Sequence, residues 1–499
     1  MPPVAMSSGS IQHALGLHLY QPAGNLWDIL RQDEAELGRI LRCYERIAGH
    51  AHKYARVARL HVALSVVLLE QLRDPELIEA CRHLADVPAI LEGLRSAAGI
   101  EFVGTGYRHA PLPLIPSDDW DEQLRNERVT VEAVLGRVLK GYWPPASLFA
   151  PEMIPALVRA GYEYVLLPQP LLAMPDGAGV DPYRLYRLAH GGARIVVVPL
   201  DPGFSKAQET GLDAPWFADE VRNGVAQSPP ADAPYLLTTW SDGENGEWFR
   251  RLDEEHGFFG QFFSPYMEFC ETGEFPVRPV HLSEFLSIHR PAVEAVLRAD
   301  SRAAVAAAGP SDDRQRLARE RLLRSSARYW ALARSATPPA HARTALPQAR
   351  ELILRAEDSG FLLGDADRCA AMLGLLGRAD QLLDPKPSAA PAPPAPPKPT
   401  PTQAVPATAK QAAPAAPTAA VVARPQEQPP AAMPQGAVVP SPEASGAAAS
   451  TAPPVATPTE AAPAGPEKVG RPVPTGPAAR KQKGSGRRSG KKPPPRRRS

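Results

Sequence analysis

The stretch ALGLHLY at residues 14–20 contains the pattern that decides the fold, a short apolar run closed by Gln21 and Pro22. Runs of the same kind recur at residues 58–66, 99–106, 162–168, 194–200 and 235–240. They are apolar throughout instead of alternating with polar residues, which is typical of strands buried on both faces of a parallel sheet. Amphipathic stretches long enough for crossover helices lie between them, at residues 34–48, 75–97, 119–139 and 213–226. The chain is therefore predicted to alternate strands and helices.

The number of these strand and helix units narrows the architecture to two possibilities. Six or seven units precede residue 288. They suggest a closed or nearly closed parallel barrel, although a doubly wound open sheet gives the same one-dimensional pattern. From about residue 290 the apolar runs end, and Ala, Leu, Arg and Glu dominate up to residue 384. We predict an α/β domain over residues 11–288 and an α-helical domain over residues 289–384.

The remainder of the chain has a composition that does not support a core. Residues 385–499 hold 29 of the 59 prolines, and no aromatic residue follows Phe361. We predict a disordered Ala/Pro-rich linker with a basic C-terminal end. Residues 467–499 carry 12 Lys and Arg against one acid, so 43 basic and 53 acidic residues precede them. The basic end is predicted either to contact nucleic acid or another polyanion, or to act only as a solubilising end.

Cysteine spacing and hydropathy indicate the compartment. The four cysteines lie far apart with no CxxC motif and no Cys/His ligand spacing, which argues against a zinc site or a disulfide framework. No signal-peptide pattern and no apolar run of membrane-spanning length is present. We predict a cytoplasmic protein that does not contact membrane and needs neither a metal nor a cofactor.

Polar clusters follow the predicted strands at their carboxyl ends, where parallel α/β folds place their active sites. His18 and Gln21 end the first run, and they could bind a sugar hydroxyl or simply satisfy the backbone. Tyr107 and His109 follow the glycine-rich end of the third run, in the stretch EFVGTGYRHAPLPLIP. An aromatic face with an imidazole suits a pyranose ring, whereas ordinary turn chemistry with Tyr107 as core filler is the alternative.

Two further clusters contribute carboxylates. Glu152 lies in LFAPEM, and we expect Trp143, Phe149 and Met153 to enclose it; the alternative is an acid that merely stabilises a helix N-terminus. Asp242 begins the stretch DGENGEW, which could instead form a cation-binding loop, although its spacing is not that of an EF-hand. Two carboxylates from different strand ends, surrounded by aromatic and imidazole groups, are what glycoside cleavage requires. Residue chemistry alone does not say which acid has which role.

These motifs, in their order along the chain, resemble those of glycoside hydrolase family 57, which contains α-amylases, 4-α-glucanotransferases and glycogen branching enzymes. The stretches LHLYQP, RLHVALSVVLLEQL, EFVGTGYRHAPLPLIP, LFAPEM and SDGENGEW resemble segments of its catalytic domain, and ILRAEDSGFLLGDAD resembles part of its helical domain. One position departs from the family pattern: Tyr20 stands where the second histidine of the first motif is expected. A phenol can still form a hydrogen bond, but it cannot carry a histidine's charge near pH 7.

The resemblance implies a (β/α)7 barrel followed by a helical bundle, and a retaining double displacement on α-glucan without an obligatory metal. It assigns Glu152 as nucleophile and Asp242 as acid/base, and it places His18 and His109 beside the cleaved bond. It does not separate hydrolysis from transglycosylation or branching. The substrate-binding residues predicted in all are His18, Tyr20, Gln21, Tyr107, His109, Trp143, Trp240, Glu244 and Trp248.

Two alternatives remain open from the sequence. Because Tyr20 departs from the family pattern and a long tail is appended, a non-catalytic glycan-binding or scaffolding protein on the same fold is one of them. The other is a metal-dependent polysaccharide deacetylase, although the only echo of its histidine ligand pair, His50 and His52, has the wrong spacing.

Overall fold

The computed structural model describes residues 11–384 except 211, 231–232, 245–256 and 365. Seven parallel strands follow one another around the main sheet: β1 Ile11–Leu19, β2 Leu60–Leu64, β3 Ile100–Gly104, β4 Gly141–Tyr142, β5 Tyr164–Pro168, β8 Ala193–Leu200 and β9 Tyr235–Asp242. Four short strands complete the set: β6 Leu172–Ala173, β7 Tyr186–His190, β10 Val277–Pro279 and β11 Val296–Leu297. The tail at residues 385–499 lies outside the described residues.

The sheet curls until its ends meet, which favours the barrel over the open sheet. Strand β1 pairs in parallel with β2 along one side and with β9 along the other. The chain of parallel pairs continues from β2 through β3, β4 and β5 to β8. Directly after β8, the Asp201 N–H donates to the Thr238 carbonyl of β9 at 2.9 Å. The result is a barrel-like parallel sheet. The short β10 pairs in parallel with the start of β1, and β7 pairs antiparallel beside the start of β8.

Two glycines in the barrel wall make room for large rings inside it. Gly16 of β1 is the register partner of Trp240 in β9, and Gly141 of β4 is the partner of Tyr164 in β5. A Cβ on Gly16 would lie 1.9 Å from Cε3 of Trp240, and one on Gly141 would lie 2.2 Å from the Tyr164 ring. Both rings belong to the apolar cluster inside the barrel. Glycine is therefore required at these positions by close packing.

The barrel helices, in chain order, are α1 Asn25–Gln32, α2 Glu34–Lys53, α3 Val66–Leu72, α4 Pro75–Cys81, α5 Val87–Ser96, α6 Trp120–Leu135, α7 Ile154–Arg159, α8 Pro202–Thr210, α9 Ala214–Val225, α10 Ser264–Thr272 and α11 Leu282–Ile288. Short 3-10 turns occur at Leu112–Leu114, Ser117–Asp119, Pro145–Ser147, Pro151–Met153 and Gln169–Leu171, and a π-helical turn occurs at Phe258–Phe263. The single helix expected at 75–97 is wrong. Asp86 caps a new helix by accepting from the Ala89 N–H, and Pro88 in its first turn has no N–H with which to continue the previous helix.

The C-terminal part of the described chain consists of helices. It contains α12 Ala299–Ala307, α13 Asp313–Ala333, α14 Ala340–Ala356, α15 Ser359–Leu362 and α16 Ala366–Leu383. These helices pack on the barrel through Asp119, a fully buried carboxylate. Asp119 accepts from Ser326 Oγ at 2.7 Å and Trp330 Nε1 at 2.6 Å, and it pairs with Arg350 at 2.8 Å. Their separation as a domain of their own at residue 289 stays a prediction.

Among the residues that the structure describes, no helix combines the length and the apolar character that crossing a bilayer would need.

Candidate functional site

The carboxyl ends of the barrel strands bring several of the predicted site residues together. His18 near the end of β1 is the register partner of Asp242 at the end of β9, and the Gly243 N–H donates to the His18 carbonyl at 2.9 Å. His109 enters from the loop after β3, and its Nε2 lies 3.0 Å from Nε2 of His18. Residues about 90 and 220 positions away from His18 therefore meet at one end of the barrel, as parallel strands dictate.

The loop that carries His109 is held in an unusual conformation. The buried Glu127 accepts from the Thr105 N–H at 2.6 Å and the Gly106 N–H at 2.8 Å, and Gly106 adopts a φ of 88°. Gln123 accepts from the Arg108 N–H at 2.9 Å. His109 follows with a φ of 51°, in the left-handed region that residues with a Cβ rarely adopt. Backbone strain of this kind is concentrated at functional sites, so the conformation favours a functional His109 over plain turn chemistry.

Burial keeps both imidazoles neutral. It lowers the pKa of His18 to about 4, against an opposing effect of the Asp242 charge. It also lowers the pKa of His109 well below the ordinary value, and the neighbouring His18 lowers it further. At pH 7 each ring therefore has one N–H donor and one bare acceptor nitrogen, which is the neutral hydrogen-bonding chemistry that a sugar hydroxyl requires.

Glu244 acts on the first motif from within the protein. Its carboxylate is 1% exposed, and it accepts from the Tyr20 N–H at 2.6 Å and from Gln21 Nε2 at 3.0 Å. The Tyr44 hydroxyl donates to the same carboxylate. These contacts indicate that Glu244 and Gln21 position the loop after β1. The substrate-binding role assigned to them stays a prediction.

Tyr20 points toward the helical part of the chain. Its ring stacks on His109 with 4.0 Å between centroids, and its hydroxyl donates to Asp358 Oδ1 at 2.6 Å. The neighbouring Ser359 Oγ lies 2.6 Å from His109 Nδ1. Asp358 and Ser359 are site residues that the sequence did not predict. Their only signal was the stretch ILRAEDSGFLLGDAD, which carried no role of its own until its distance to the barrel mouth was known.

Trp143 and Trp240 line a cavity beside the histidines. Their rings stack with 6.2 Å between centroids and 17° between planes. The centroid of the Trp143 ring lies 4.5 Å from that of the His18 ring. The cavity has a volume of about 260 Å³ and also involves Ser147, Lys206 and Glu209. Trp240 is 7% exposed, and its buried Nε1–H has no hydrogen-bond partner among the described residues. Two indole faces beside a cavity suit a sugar ring.

Tyr107 departs from the expected arrangement. The Arg108 guanidinium covers one face of its ring, with 4.2 Å between the guanidinium carbon and the ring centroid. Arg108 Nη2 also donates to the Tyr107 hydroxyl at 3.0 Å. Arg108 itself is 3% exposed and pairs with Glu70 and Glu351. The open aromatic face expected of Tyr107 is thus occupied on one side, and its substrate-binding role stays a prediction.

Glu152 is not enclosed by apolar side chains, so that expectation is wrong. The 3-10 turn Pro151–Met153 turns Met153 into the core, where Phe149 also lies, and leaves the Glu152 side chain 51% exposed. Its Oε1 lies 3.5 Å from Nη2 of Arg302, which is 72% exposed. An exposed ion pair of this kind contributes little to stability.

Trp248 falls within residues 245–256 and so lies outside the described residues. Within the described residues, no group of three or more His, Cys, Asp or Glu side chains is arranged to hold a metal ion.

The buried carboxyl of Asp358 gives a stability prediction. Burial raises its pKa from 3.8 to about 6, although the Tyr20 hydroxyl opposes that effect, and Asp358 Oδ2 has no hydrogen-bond partner among the described residues. Because the folded state binds this proton more tightly than the unfolded state, the contribution of Asp358 to stability is complete below pH 3.8 and is lost as the pH rises through 6.

The free energy of unfolding of Asp358→Asn, measured relative to that of the wild type, should therefore rise by roughly 3 kcal/mol as the pH increases from 4 to 7. Urea unfolding of both proteins across this range measures the difference. A difference that stays constant with pH would show that Asp358 has an ordinary pKa.

The model of glycosyl hydrolase family 57 matches residues 32–292. Among characterised proteins, α-amylase 1 of Dictyoglomus thermophilum is 24% identical over 293 residues, which cover 56% of this chain and 38% of that protein. The 4-α-glucanotransferase of Thermococcus kodakarensis is 25% identical over 194 residues, which cover 38% of this chain and 27% of that protein. The chain thus spans about two-fifths of the length of the first of these relatives.

Solved structures show the same fold. A 4-α-glucanotransferase from Thermococcus litoralis superposes with a TM-score of 0.56 and 17% identity, covering 76% of this chain and 61% of that one. An α-amylase from Thermotoga maritima superposes with a TM-score of 0.54 and 14% identity, covering 76% of this chain and 94% of that one. At these identities the likeness concerns the fold alone.

Proposed function

Because this chain belongs to glycosyl hydrolase family 57, we propose that it cleaves or transfers α-1,4-linked glucose chains with retention of the anomeric configuration. The observation that carries the proposal is the meeting of Asp242 with the neutral His18 and His109 pair at the carboxyl end of the barrel. The relatives described as α-amylase and 4-α-glucanotransferase support α-glucan as the substrate class.

The proposed reaction has two displacements. Asp242 first gives its proton to the glycosidic oxygen while Glu152 attacks the anomeric carbon, so that the bond to the leaving chain breaks and a covalent glycosyl ester forms. Asp242, now a carboxylate, then takes a proton from water or from a sugar hydroxyl, which attacks the same carbon and releases Glu152. Water as the attacking group gives hydrolysis, and a sugar hydroxyl gives chain transfer or, at a 6-hydroxyl, branching.

The surroundings support these roles. His18 and His109 would bind hydroxyls of the sugar at the cleaved bond as neutral donors and acceptors. Trp143 and Trp240 would hold a neighbouring ring in their cavity. Arg302 would help to orient Glu152 before attack. The seven-stranded (β/α)7 form of the barrel is part of the same proposal.

Incubation of the full chain with amylose tests the activity. Reducing ends report hydrolysis, and a change in chain-length distribution at constant reducing ends reports transfer. We expect one or both with the wild type and neither with Glu152→Gln. Glu294→Gln is a matched control, because Glu294 is also an exposed acid, 47% accessible, that pairs with an arginine at 3.3 Å. If the protein binds glycogen without turnover, it is a glycan-binding protein and not an enzyme. Full activity of Glu152→Gln would show that Glu152 is not the nucleophile.

The basic end at residues 467–499 is proposed to bind a polyanion in the cytoplasm. Its 12 Lys and Arg residues against one acid support binding to a polyanion. The widely spaced cysteines support a reducing compartment. A chain ending at residue 466 should lose retention of polyphosphate or RNA in a gel shift, and the full chain should lose it as salt is raised. Equal mobility of the two chains with both probes would indicate a solubilising end only.

A further inference from the structure

The turn before α15 reaches the imidazole pair that faces Asp242. Ser359 is 5% exposed, and its Oγ lies 2.6 Å from His109 Nδ1, while His109 Nε2 lies 3.0 Å from His18 Nε2. A three-member chain of hydrogen bonds therefore runs from the helical part of the protein to the end of β1. Ser359 and His109 are both buried, so neither can lose its partner without leaving a buried polar group unpaired.

Contacts of the same turn with Tyr20 hold this chain in place. Asp358 Oδ1 accepts from the Tyr20 hydroxyl at 2.6 Å and from the Gly360 N–H at 2.7 Å. Gly360 also donates to the Tyr20 hydroxyl at 3.0 Å. A Cβ on Gly360 would lie 2.9 Å from that hydroxyl, so the turn closes on Tyr20 only because residue 360 is glycine. Tyr20 in turn stacks on His109, which fixes the plane of the imidazole.

The geometry restricts the protons of the two rings. Both rings present Nε2 to each other, so one Nε2 must carry the hydrogen and the other must accept it. A neutral imidazole has a single N–H, and the ring whose Nε2 is bare must therefore carry its hydrogen on Nδ1. His18 and His109 consequently hold opposite tautomers. A hydroxyl can donate to or accept from His109 Nδ1, so the direction of the Ser359 bond goes together with the tautomer of His109, and hence with that of His18.

We infer that Ser359 is a positioning residue that selects the tautomers of His109 and His18, and that Tyr20 and the turn Asp358 to Gly360 hold it at the required distance. Its consequence for catalysis rests on the proposed function. The proton pattern of His18 beside Asp242 decides whether its free nitrogen donates to or accepts from the bound sugar. Loss of the Ser359 hydroxyl would leave both patterns populated, and only one of them matches the substrate.

Selective ¹⁵N labelling of histidine in the full chain tests the tautomers without substrate. Ring nitrogen signals at pH 7 distinguish the two tautomers, and the variants His18→Gln and His109→Asn assign the signals by their disappearance. In the wild type we expect one ring protonated at Nδ1 and the other at Nε2. Ser359→Ala should give mixed tautomers for both, whereas Ser359→Thr, which keeps the hydroxyl, should give the wild-type pattern.

Ser325→Ala is the matched control. Ser325 is also a buried serine of the helical part, 1% exposed, and its hydroxyl donates to Asp380 at 2.7 Å, away from both histidines. It should leave the histidine signals unchanged. If Ser359→Ala does not fold, Ser359→Cys, whose thiol is a weaker hydrogen-bonding group, should shift the tautomers in the same direction. Two rings with the same tautomer, or signals unchanged in both Ser359 variants, would overturn the inference.

The kinetic part of the test uses amylose. We expect kcat of Ser359→Ala to fall by roughly 3- to 10-fold with KM nearly unchanged, and Ser359→Thr to restore it. Mixed tautomers with an unchanged kcat would overturn the catalytic consequence. If the wild type has no activity, the proposed function fails, and the nitrogen signals still decide whether Ser359 selects the tautomers.

Discussion

Asp242→Ala should lose about 10²- to 10⁴-fold in turnover of amylose, yet retain most of the bond-breaking rate toward α-maltosyl fluoride. The natural leaving group is a sugar hydroxyl that must be protonated, whereas fluoride leaves without a proton. Glu152→Ala should instead lose on the order of 10⁴-fold or more with both substrates, because neither can form the covalent ester without a nucleophile. Initial rates of fluoride release and of new reducing ends measure the two effects.

Azide separates the two roles further. It needs no general base, so it should rescue Asp242→Ala by attacking the glycosyl ester and give an α-glycosyl azide. With Glu152→Ala it should occupy the vacated space, attack α-maltosyl fluoride directly and give the β-azide. Product configuration follows from proton spectra. A β-azide from Asp242→Ala and an α-azide from Glu152→Ala would mean that the two acids have each other's roles. If azide rescues neither variant, these two acids are not the catalytic pair.

Gly16→Ala should destabilise the protein by about 3 kcal/mol or prevent folding, which is the largest structural effect expected from a single methyl group. The added Cβ would lie 1.9 Å from the Trp240 ring, which is 7% exposed and is packed inside the barrel. Gly49→Ala is the control. Gly49 lies in α2, no atom lies within 4 Å of the position that its Cβ would take, and alanine there should increase stability by up to about 1 kcal/mol.

Urea unfolding measures both glycine variants, and a double variant identifies the cause. Gly16→Ala combined with Trp240→Leu should be more stable than the sum of the two single effects, because the smaller residue relieves the clash. Equal stability of Gly16→Ala and the wild type would mean that Trp240 does not lie over Gly16. If the losses of stability in the two single variants simply add in the double variant, the clash with Trp240 is not the cause of the destabilisation.

Local sequence patterns marked six strands, and the ends at which the predicted site residues meet, but they missed β4 and the short strands β6, β7, β10 and β11. The run at residues 14–20 and its repeats indicate strands, because a strand buried on both faces is apolar throughout and does not alternate with polar residues. His18, His109 and Asp242 were found because parallel strands bring their carboxyl ends together. The closure of the barrel could not be predicted from the sequence, because it depends on the tertiary contact between β8 and β9.

Tertiary contacts decided what the sequence left out. The direction of the Glu152 side chain depends on a short turn whose neighbour Met153 is drawn into the core, and no pattern in LFAPEM distinguishes that outcome from an enclosed acid. Ser359 was missed because its partner His109 is 250 residues away in sequence. The match of Gly16 to Trp240 likewise exists only once β1 and β9 are paired in register.

Covalent trapping decides whether Glu152 is the nucleophile of a retaining enzyme. The full chain is incubated with 5-fluoro-α-glucosyl fluoride or a maltosyl equivalent, whose first displacement outpaces the second, and the digested protein is examined by mass spectrometry. We expect one added fluoroglycosyl group on the peptide that contains Glu152, and none in Glu152→Gln. An adduct on a different carboxylate, or product of inverted configuration with no adduct, would contradict the proposed retaining mechanism.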